Sequence, residues 1–388
     1  MGTFFFVILQ TICTIVAVTV MKIVYVYPTL ASWGGVERIL VDKMNLLAQS
    51  GDYAVFALTY NQGNHPVPFV LDERVHHIDL QVRTHAKYQY KALRRLWEGW
   101  KRQRWLRARL KWKLGEIFPD VIVTTTNSEL ELLCQLKRNI PLVVESHGGY
   151  NHLIDYPTMT WAHRRDISRR YRLLRKADAI VSLTDNDARL WDPYYSQVKV
   201  IPNVVHLNPL NKFSDRSRKQ IIFVGRLAEQ KGIPELVAIW RIVYERHPDW
   251  QLHVYGEGDR ERLQRAAPGI RAFPPTDSIF EKYCECSLLV LTSRWEPFGL
   301  VIPEAMSCGL PVVSFEGDGP CSIINDGENG IIVKNRSVEA FADSVCRLID
   351  DESLRQRMGQ AAIQSAQRYA PERIMPQWKA LFQSLVSV

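Results

Sequence analysis

Short apolar runs alternate with longer amphipathic stretches along most of the chain. The first run, residues 21–27, is followed by a glycine pair and then by apolar residues at helical spacing. Short apolar runs bounded by turns predict buried strands, and strands that alternate with helices predict a parallel sheet covered on both faces. In the first half of the chain the predicted strands are residues 21–27, 55–59, 77–80, 119–124, 142–145 and 179–184.

The same alternation starts again after a polar stretch near the middle of the chain. Residues 208–219 are polar and show no clear periodicity, so we interpret them as a linker between domains. The pattern therefore predicts an α/β fold in which two Rossmann-like, doubly wound domains face a central cleft. Two helices are expected to finish the chain. The remaining predicted strands are residues 220–224, 252–255, 287–291, 312–314 and 331–333.

The predicted domains are residues 21–205 and 206–370, followed by a final helix over 371–388 with apolar residues at helical spacing. A chain of 388 residues exceeds one ordinary core, which agrees with two domains. Residues 4–20 carry no charge and are long enough for a signal or a marginal membrane span. Since a strand follows at once and no Lys or Arg precedes them, we interpret residues 1–20 as an extension upstream of Met21. A membrane anchor is the alternative.

Composition narrows the class of protein. A hydrophobic fraction of 46% with 23% charged residues is typical of a globular protein. Seven cysteines without a C-x2-C pair argue against a disulfide framework and against a structural zinc site, and favour a reducing cytosol.

Candidate functional residues are most concentrated in residues 292–312. Glu296 follows a predicted strand, at the edge where open α/β sheets bind ligands, and Glu304 follows Pro303 at a predicted helix start. Phe298, Gly299 and Leu300 lie between the two acids and offer backbone N–H groups. Carboxylates accept hydrogen bonds from vicinal hydroxyls, which sugars and ribose carry. In the alternative interpretation, Glu304 only complements its helix dipole and Glu296 is a solvated loop residue.

Loops after other predicted strands carry candidate phosphate-binding residues. Arg226 and Lys231 lie in a strand–loop–helix unit, and a guanidinium and an ammonium both suit a pyrophosphate, although both could pair with surface acids instead. Gly34 and Gly35 precede the first helix, where backbone donors and the helix dipole favour an anion, or they mark only a tight turn. Gly256 belongs to a weaker glycine motif.

His147 follows a predicted strand and precedes a Gly-Gly pair, at the same sheet edge as the first glycine loop. A single histidine is more often structural than catalytic, so this position alone leaves both interpretations open.

Two basic segments interrupt the alternation. Between Arg83 and Lys113 there are twelve Lys or Arg and one acid, and tryptophans are interleaved with them. Such a segment suits an anionic membrane surface, where each Lys or Arg contributes about 1 kcal/mol. A nucleic-acid-binding surface would use the same residue types. A third interpretation is a helical face exposed only to water, and it is favoured because the spacing of the apolar residues breaks near Arg104 and Arg107. The candidate residues are Arg94, Arg95, Trp97 and Trp100 here, and Arg169 and Arg170 in the second segment.

Residues 296–300, Glu-Pro-Phe-Gly-Leu, and residues 303–312, Pro-Glu-Ala-Met-Ser-Cys-Gly-Leu-Pro-Val, resemble the signature of retaining family 4 glycosyltransferases of the bacterial surface-polysaccharide type, also called glycosyl transferases group 1. Residues 225–232 and 34–38 also resemble loops of that family. The resemblance implies the GT-B fold, in which the last helix crosses back onto the first domain.

The resemblance also implies roles for single residues. Arg226 and Lys231 would hold and stabilise the donor diphosphate, Glu296 would contact the donor sugar, and the amides of residues 298–300 would bind it. Glu304 would hold the ribose hydroxyls. The remaining implied contacts are Gly34 and Gly35 with the donor phosphates, Glu37 with the acceptor, His147 with the transferred sugar and β-phosphate, and Gly256 with the nucleotide.

The expected reaction moves a hexose from a nucleotide diphosphate sugar, a UDP-sugar rather than a GDP-sugar, to a saccharide or polyprenyl-pyrophosphate-linked acceptor in polysaccharide or lipopolysaccharide synthesis. We expect no cofactor and no metal, since two basic side chains replace a divalent ion. The expected location is cytoplasmic, peripheral at the inner membrane face, without a nucleic-acid partner. Two alternatives are a non-hydrolysing nucleotide-sugar epimerase of the same architecture and a basic nucleic-acid-binding protein.

Overall fold

The computed structural model describes residues 20–126, 129–150 and 161–387. The predicted extension or anchor, residues 1–20, lies outside the described residues except for Val20. Within the described ranges no helix is both long and apolar enough to cross a bilayer.

The first domain is built on a parallel sheet of seven strands in the order β3-β2-β1-β4-β5-β6-β7. Its central strands are buried on both faces, which explains their continuous apolar sequence. The strands are Met21–Tyr27 (β1), Tyr53–Thr59 (β2), Val75–Asp79 (β3), Val121–Thr125 (β4), Leu142–Ser146 (β5), Ala179–Ser182 (β6) and Val198–Val200 (β7). The described α-helices are Gly35–Gln49 (α1), Ala92–Ile117 (α2), Leu130–Leu136 (α3), Trp161–Leu174 (α4) and Asp185–Trp191 (α5).

The second domain is built on a six-stranded parallel sheet in the order β10-β9-β8-β11-β12-β13. Its strands are Gln220–Val224 (β8), Gln251–Tyr255 (β9), Ile270–Phe273 (β10), Leu288–Leu291 (β11), Val312–Phe315 (β12) and Gly330–Val333 (β13). Its helices are Ile233–Arg246 (α6), Arg260–Ala266 (α7), Ile279–Cys284 (α8), Val301–Ser307 (α9), Asp318–Ile323 (α10), Val338–Asp350 (α11) and Glu352–Ala366 (α12). The predicted fold class, two Rossmann-like domains with parallel sheets, is confirmed.

The last helix, Pro371–Val386 (α13), belongs to the core of the first domain although it follows the second. Trp378 and Phe382 are buried against residues of β1, β4 and α1. Lys379 also pairs with Asp52, at 2.9 Å, in the turn after α1. The expected crossing of this helix back to the first domain is therefore confirmed.

Three details differ from the sequence-based expectations. Three α-helices rather than two follow the last strand. The strands β7 and β10 were not predicted, because they are three and four residues long and each contains a basic residue. Residues 92–117 form one helix in spite of the interrupted apolar register. Leu106, Leu110 and Leu114 pack its second half on the core, while the tryptophans face away.

Candidate active site

Lys231 and Glu296 meet in the second domain, at the carboxyl ends of β8 and β11. Lys231 Nζ donates to Glu296 Oε2 at 2.6 Å, and Ser293 Oγ donates to the same oxygen at 3.1 Å. The two paired side chains are 18% and 12% exposed, so this ion pair lies at the surface of the cleft. Two predicted site residues from distant parts of the sequence are thus adjacent.

A glycine allows the loop of Lys231 to approach β11 closely. Gly232 has φ +66°, and a Cβ atom there would lie 2.0 Å from the carbonyl oxygen of Thr292. The hydroxyl of Thr292 donates to the Lys231 carbonyl at 2.9 Å. Only glycine fits this left-handed conformation at such close range, and the loop fixes where the ammonium can point.

Arg226 lies on the same loop but faces solvent. The loop is joined to the turn after β9, because Leu227 N donates to Glu257 O at 2.7 Å and a Cβ atom on Gly256 would lie 1.9 Å from Gly225 O. Among the described side chains the guanidinium of Arg226 forms no ion pair, so its charge is available to an anion in the cleft. Gly256 itself is a close-approach position and brings the two loops together.

Glu304 is buried in the first turn of α9, as expected from its place after Pro303. Arg38 Nη1 from the first domain lies 2.8 Å from its Oε1, and the Tyr283 hydroxyl donates to its Oε2 at 3.3 Å. Burial raises the pKa of Glu304, and Arg38 and Tyr283 act against that shift. The acid therefore lies where the two domains meet.

The loop between the two acids carries both structural and accessible groups. Phe298 is buried, and its ring packs edge-on against Tyr369 with centroids 5.4 Å apart. Gly299 has φ +88°, which glycine adopts most readily. The Leu300 side chain lies 3.7 Å from the position of a Cβ atom on Gly35. The first glycine loop of one domain therefore faces the sugar-binding loop predicted in the other.

Glu37 folds back over the first glycine loop. The Tyr27 hydroxyl donates to Glu37 Oε1 at 3.2 Å, and a Cβ atom on Gly34 would lie 2.1 Å from Glu37 Oε2. Burial, and then the charge of Glu37, raises the pKa of Tyr27. Gly34 precedes the first residue of α1, so the expected loop at a helix N-terminus is present.

His147 follows β5, as expected. Its Nε2 lies 2.9 Å from Glu145 Oε2, and Glu145 also pairs with Lys43 of α1. We call Lys43, Glu145 and His147 the buried triad. The sequence-based interpretation included His147 but missed the other two, although a lysine on the apolar face of α1 implies a buried acid nearby.

The predicted basic residues lie on two helices of the first domain. Trp97 and Trp100 on α2 are 56% and 58% exposed, and the guanidinium groups of the nearby Arg94 and Arg95 stack on tyrosine rings. On α4, Arg169 pairs with Glu131, and Arg170 Nη1 donates to the Thr126 carbonyl at 3.0 Å. Arg169 and Arg170 therefore join α4 to neighbouring parts of the first domain, whereas Trp97 and Trp100 face outward.

Two sheets whose carboxyl edges share one cleft, with glycine loops, a lysine and carboxylates at that cleft, have the arrangement of a GT-B protein. A comparison of the sequence with protein-family models agrees with this class. Residues 33–208 match the model of "Glycosyltransferase Family 4", and residues 210–365 match "Glycosyl transferases group 1". The chain belongs to the group 1 glycosyltransferases of family 4, and it is an enzyme of that class.

Individual relatives extend the comparison. An uncharacterized glycosyltransferase of Haemophilus influenzae is 26% identical over 374 residues, which are 93% of this chain and 99% of that protein. The amylovoran biosynthesis glycosyltransferase AmsD of Erwinia amylovora is 32% identical over 218 residues, 52% of this chain and 61% of AmsD. The structure of Anabaena Alr3699/HepE in complex with UDP has a TM-score of 0.72 at 18% identity, covering 94% of this chain and 100% of that one.

Proposed function

We propose that the protein transfers a hexose from a UDP-sugar to a saccharide or polyprenyl-pyrophosphate-linked acceptor, with retention of the anomeric configuration. The observation that carries this proposal is the convergence of Lys231 and Glu296 with the loop of residues 298–300 at the cleft. The relative solved with UDP supports the choice of base. AmsD, named for amylovoran biosynthesis, supports a role in making a surface polysaccharide.

The proposed mechanism depends on stabilising the leaving diphosphate. As the bond from the anomeric carbon to the β-phosphate oxygen breaks, negative charge grows on the diphosphate, and Lys231 and Arg226 would neutralise it. Charged donors that are fixed in advance contribute about 3 kcal/mol each to lowering such a barrier. The acceptor oxygen bonds to the anomeric carbon on the same face, and the departing phosphate takes its proton. We predict that the residues in this scheme act without a metal.

Glu296 has a second role in this proposal. In the free protein it accepts from Lys231 and Ser293, which together hold its carboxylate beside the diphosphate site. A bound sugar would bring hydroxyl groups that can replace or share these donors. Glu304, buried at the domain junction, is the acid we assign to the ribose hydroxyls.

Nucleotide release tests the transfer reaction directly. Purified protein is incubated with UDP- and GDP-sugars, with and without a membrane extract as the source of acceptor. We expect release of UDP from one UDP-sugar, and only when the extract is present. Conversion of the donor to its epimer without any acceptor would contradict the proposal and support the epimerase.

A second proposal concerns the outer face of α2, which we infer binds an anionic membrane surface. The helix runs antiparallel to the strands, because Arg102 donates to the Val82 carbonyl beyond β3 and Lys22 at the start of β1 donates to the Ile117 carbonyl. Its first half therefore lies at the cleft end of the sheet. Trp97 and Trp100, flanked by basic residues, are exposed at that end, where a lipid-linked acceptor would enter.

Trp112 supplies a matched control for this surface, because it is 66% exposed on the same helix but lies near the opposite end of the sheet. In a sedimentation assay with phosphatidylglycerol vesicles, we expect binding that falls as salt rises. Replacing Trp97 and Trp100 by Ser should weaken it roughly tenfold or more, and Trp112→Ser should not. Equal effects of both changes, or stronger binding to RNA than to vesicles, would contradict the proposal.

A further inference from the structure

The buried triad links the core of the first domain to the cleft. Lys43 on α1 and Glu145 at the end of β5 are each 1% exposed and form an ion pair. His147 lies two residues further along, with its side chain 7% exposed and its Nε2 2.9 Å from Glu145 Oε2. An acid that is completely buried thus contacts a cation on one side and the candidate site histidine on the other.

Aromatic rings surround the cation of this pair. The Lys43 ammonium lies 4.2 Å from the ring centroid of Trp378 on α13, and 5.9 Å from that of Tyr25 on β1. Cation–π attraction partly replaces the water that the ammonium has lost. The crossing helix therefore completes the surroundings of Lys43, and through Lys43 those of Glu145.

Glu145 carries its charge in this environment. Burial alone would raise the pKa of Glu145, but the charge of Lys43 and the contact with His147 outweigh burial and lower the pKa to about 2. A buried negative charge 2.9 Å from His147 Nε2 favours the histidine tautomer that carries its proton on this nitrogen.

Stability alone is a poor reason for such a pair. Apolar residues of similar volume often replace a buried ion pair without loss of stability, because burying two charges costs about as much as their attraction returns. Neither Glu145 Oε1 nor His147 Nε2 has an aligned hydrogen-bond partner among the described residues, so Glu145 and His147 interact through charge at 2.9 Å and the network is not fully satisfied. What the pair does provide is a fixed negative charge beside His147.

We propose that Glu145, held in place by Lys43, is a positioning residue that orients the His147 imidazole with Nε2 toward Glu145 and leaves Nδ1 to contact the transferred sugar. This inference rests on the proposed transfer reaction, in which His147 lies beside that sugar. Lys43 acts one step further away and does not touch the substrate.

A double variant separates positioning from stability. Removing one charge alone leaves the other uncompensated and threatens the fold, whereas Lys43→Met combined with Glu145→Leu removes both. We expect this variant to unfold at nearly the wild-type temperature but to show a kcat for UDP release about 10- to 100-fold lower, with a donor KM changed by less than about threefold. Adding His147→Ala to the double variant should cause little further loss. Wild-type kcat in the folded double variant would overturn the proposal.

The control variant removes a different ion pair, one that the crossing helix forms and that does not include His147. Lys379 and Asp52 pair at 2.9 Å with side chains 30% and 60% exposed, and Lys379→Met with Asp52→Asn should leave kcat unchanged. A loss equal to that of the Lys43/Glu145 variant would mean that any disturbance of the crossing helix slows transfer, and would overturn the positioning role.

A second readout does not need activity. Nitrogen-15 NMR of labelled histidine, assigned with His147→Gln, reports which ring nitrogen carries the proton. We expect the Nε2–H tautomer to dominate in the wild-type protein at pH 8, and a mixture in Lys43→Met/Glu145→Leu. The same tautomer in both proteins would overturn the inference even if no donor sugar is turned over, whereas failure of turnover alone would count only against the proposed function.

Discussion

Two lysine–glutamate pairs, one in each domain, have the same chemistry and opposite surroundings. Lys43 and Glu145 of the first domain are 1% exposed and hidden behind a helix that crosses from the second. Lys231 and Glu296 of the second domain are 18% and 12% exposed at the cleft, on loops after two neighbouring strands. A ligand can reach the second pair but not the first.

This difference separates a scaffold from a binding site. Opening a buried pair leaves two charges without water, so its geometry is effectively fixed. A pair at the edge of a cleft can exchange its partners for the phosphates and hydroxyls of a ligand at little cost, because water already reaches part of it. We therefore expect the loss of a single charge to reduce stability more in the buried pair than in the cleft pair, and to reduce turnover more in the cleft pair than in the buried pair.

The largest expected effect is on stability, from removing one buried charge. Glu145→Gln leaves Lys43 without a counter-ion, and the free energy of unfolding of the first domain should fall by about 3–5 kcal/mol. Lys231→Met is the matched change in the cleft pair and should cost about 1 kcal/mol or less. Urea unfolding followed by circular dichroism measures both. Similar losses in the two variants would remove the distinction between the pairs.

For turnover we expect the opposite, namely a larger effect from the cleft pair than from the buried pair. Lys231→Ala removes a positive charge from the proposed diphosphate site, and kcat for UDP release should fall by about 100- to 1000-fold, while the protein stays folded. Lys219 is a suitable control, because it pairs with Asp249 on the surface with a side chain 60% exposed, and Lys219→Ala should leave kcat unchanged. If Lys231→Ala transfers sugar at a near-normal rate, the assignment of this lysine is wrong.

Local sequence predicted the second domain's loops better than the first domain's buried contacts. Residues 296–304 form one contiguous motif, so the strand, the loop and the helix start follow from adjacent residues, and the structure places Glu304 in the first helical turn as expected. The fold class and the crossing helix were also predicted. The roles of these residues in binding stay predictions.

The contacts that the sequence did not predict join residues far apart in the chain. Lys43 and Glu145 are separated by 102 positions, and nothing near either one indicates the other. Lys43 interrupts the apolar face of α1, which implies a buried partner of opposite charge without identifying it. The pairing of Arg38 with Glu304 depends on how the two domains face each other, which no local pattern encodes.

The smallest expected effect concerns that contact between the domains. Burial raises the pKa of Glu304 and Arg38 opposes the rise, so Arg38→Met should raise the pKa further. More of the acid is then protonated as pH falls, and its bond to the ribose hydroxyls weakens. We expect the donor KM to increase by up to about tenfold at pH 6 and by less at pH 8, since one pKa unit corresponds to a factor of ten.

In a Glu304→Gln background, which cannot titrate, Arg38→Met should have the same effect at both pH values. An increase that does not depend on pH in the wild-type background would show that Arg38 acts on the donor in another way.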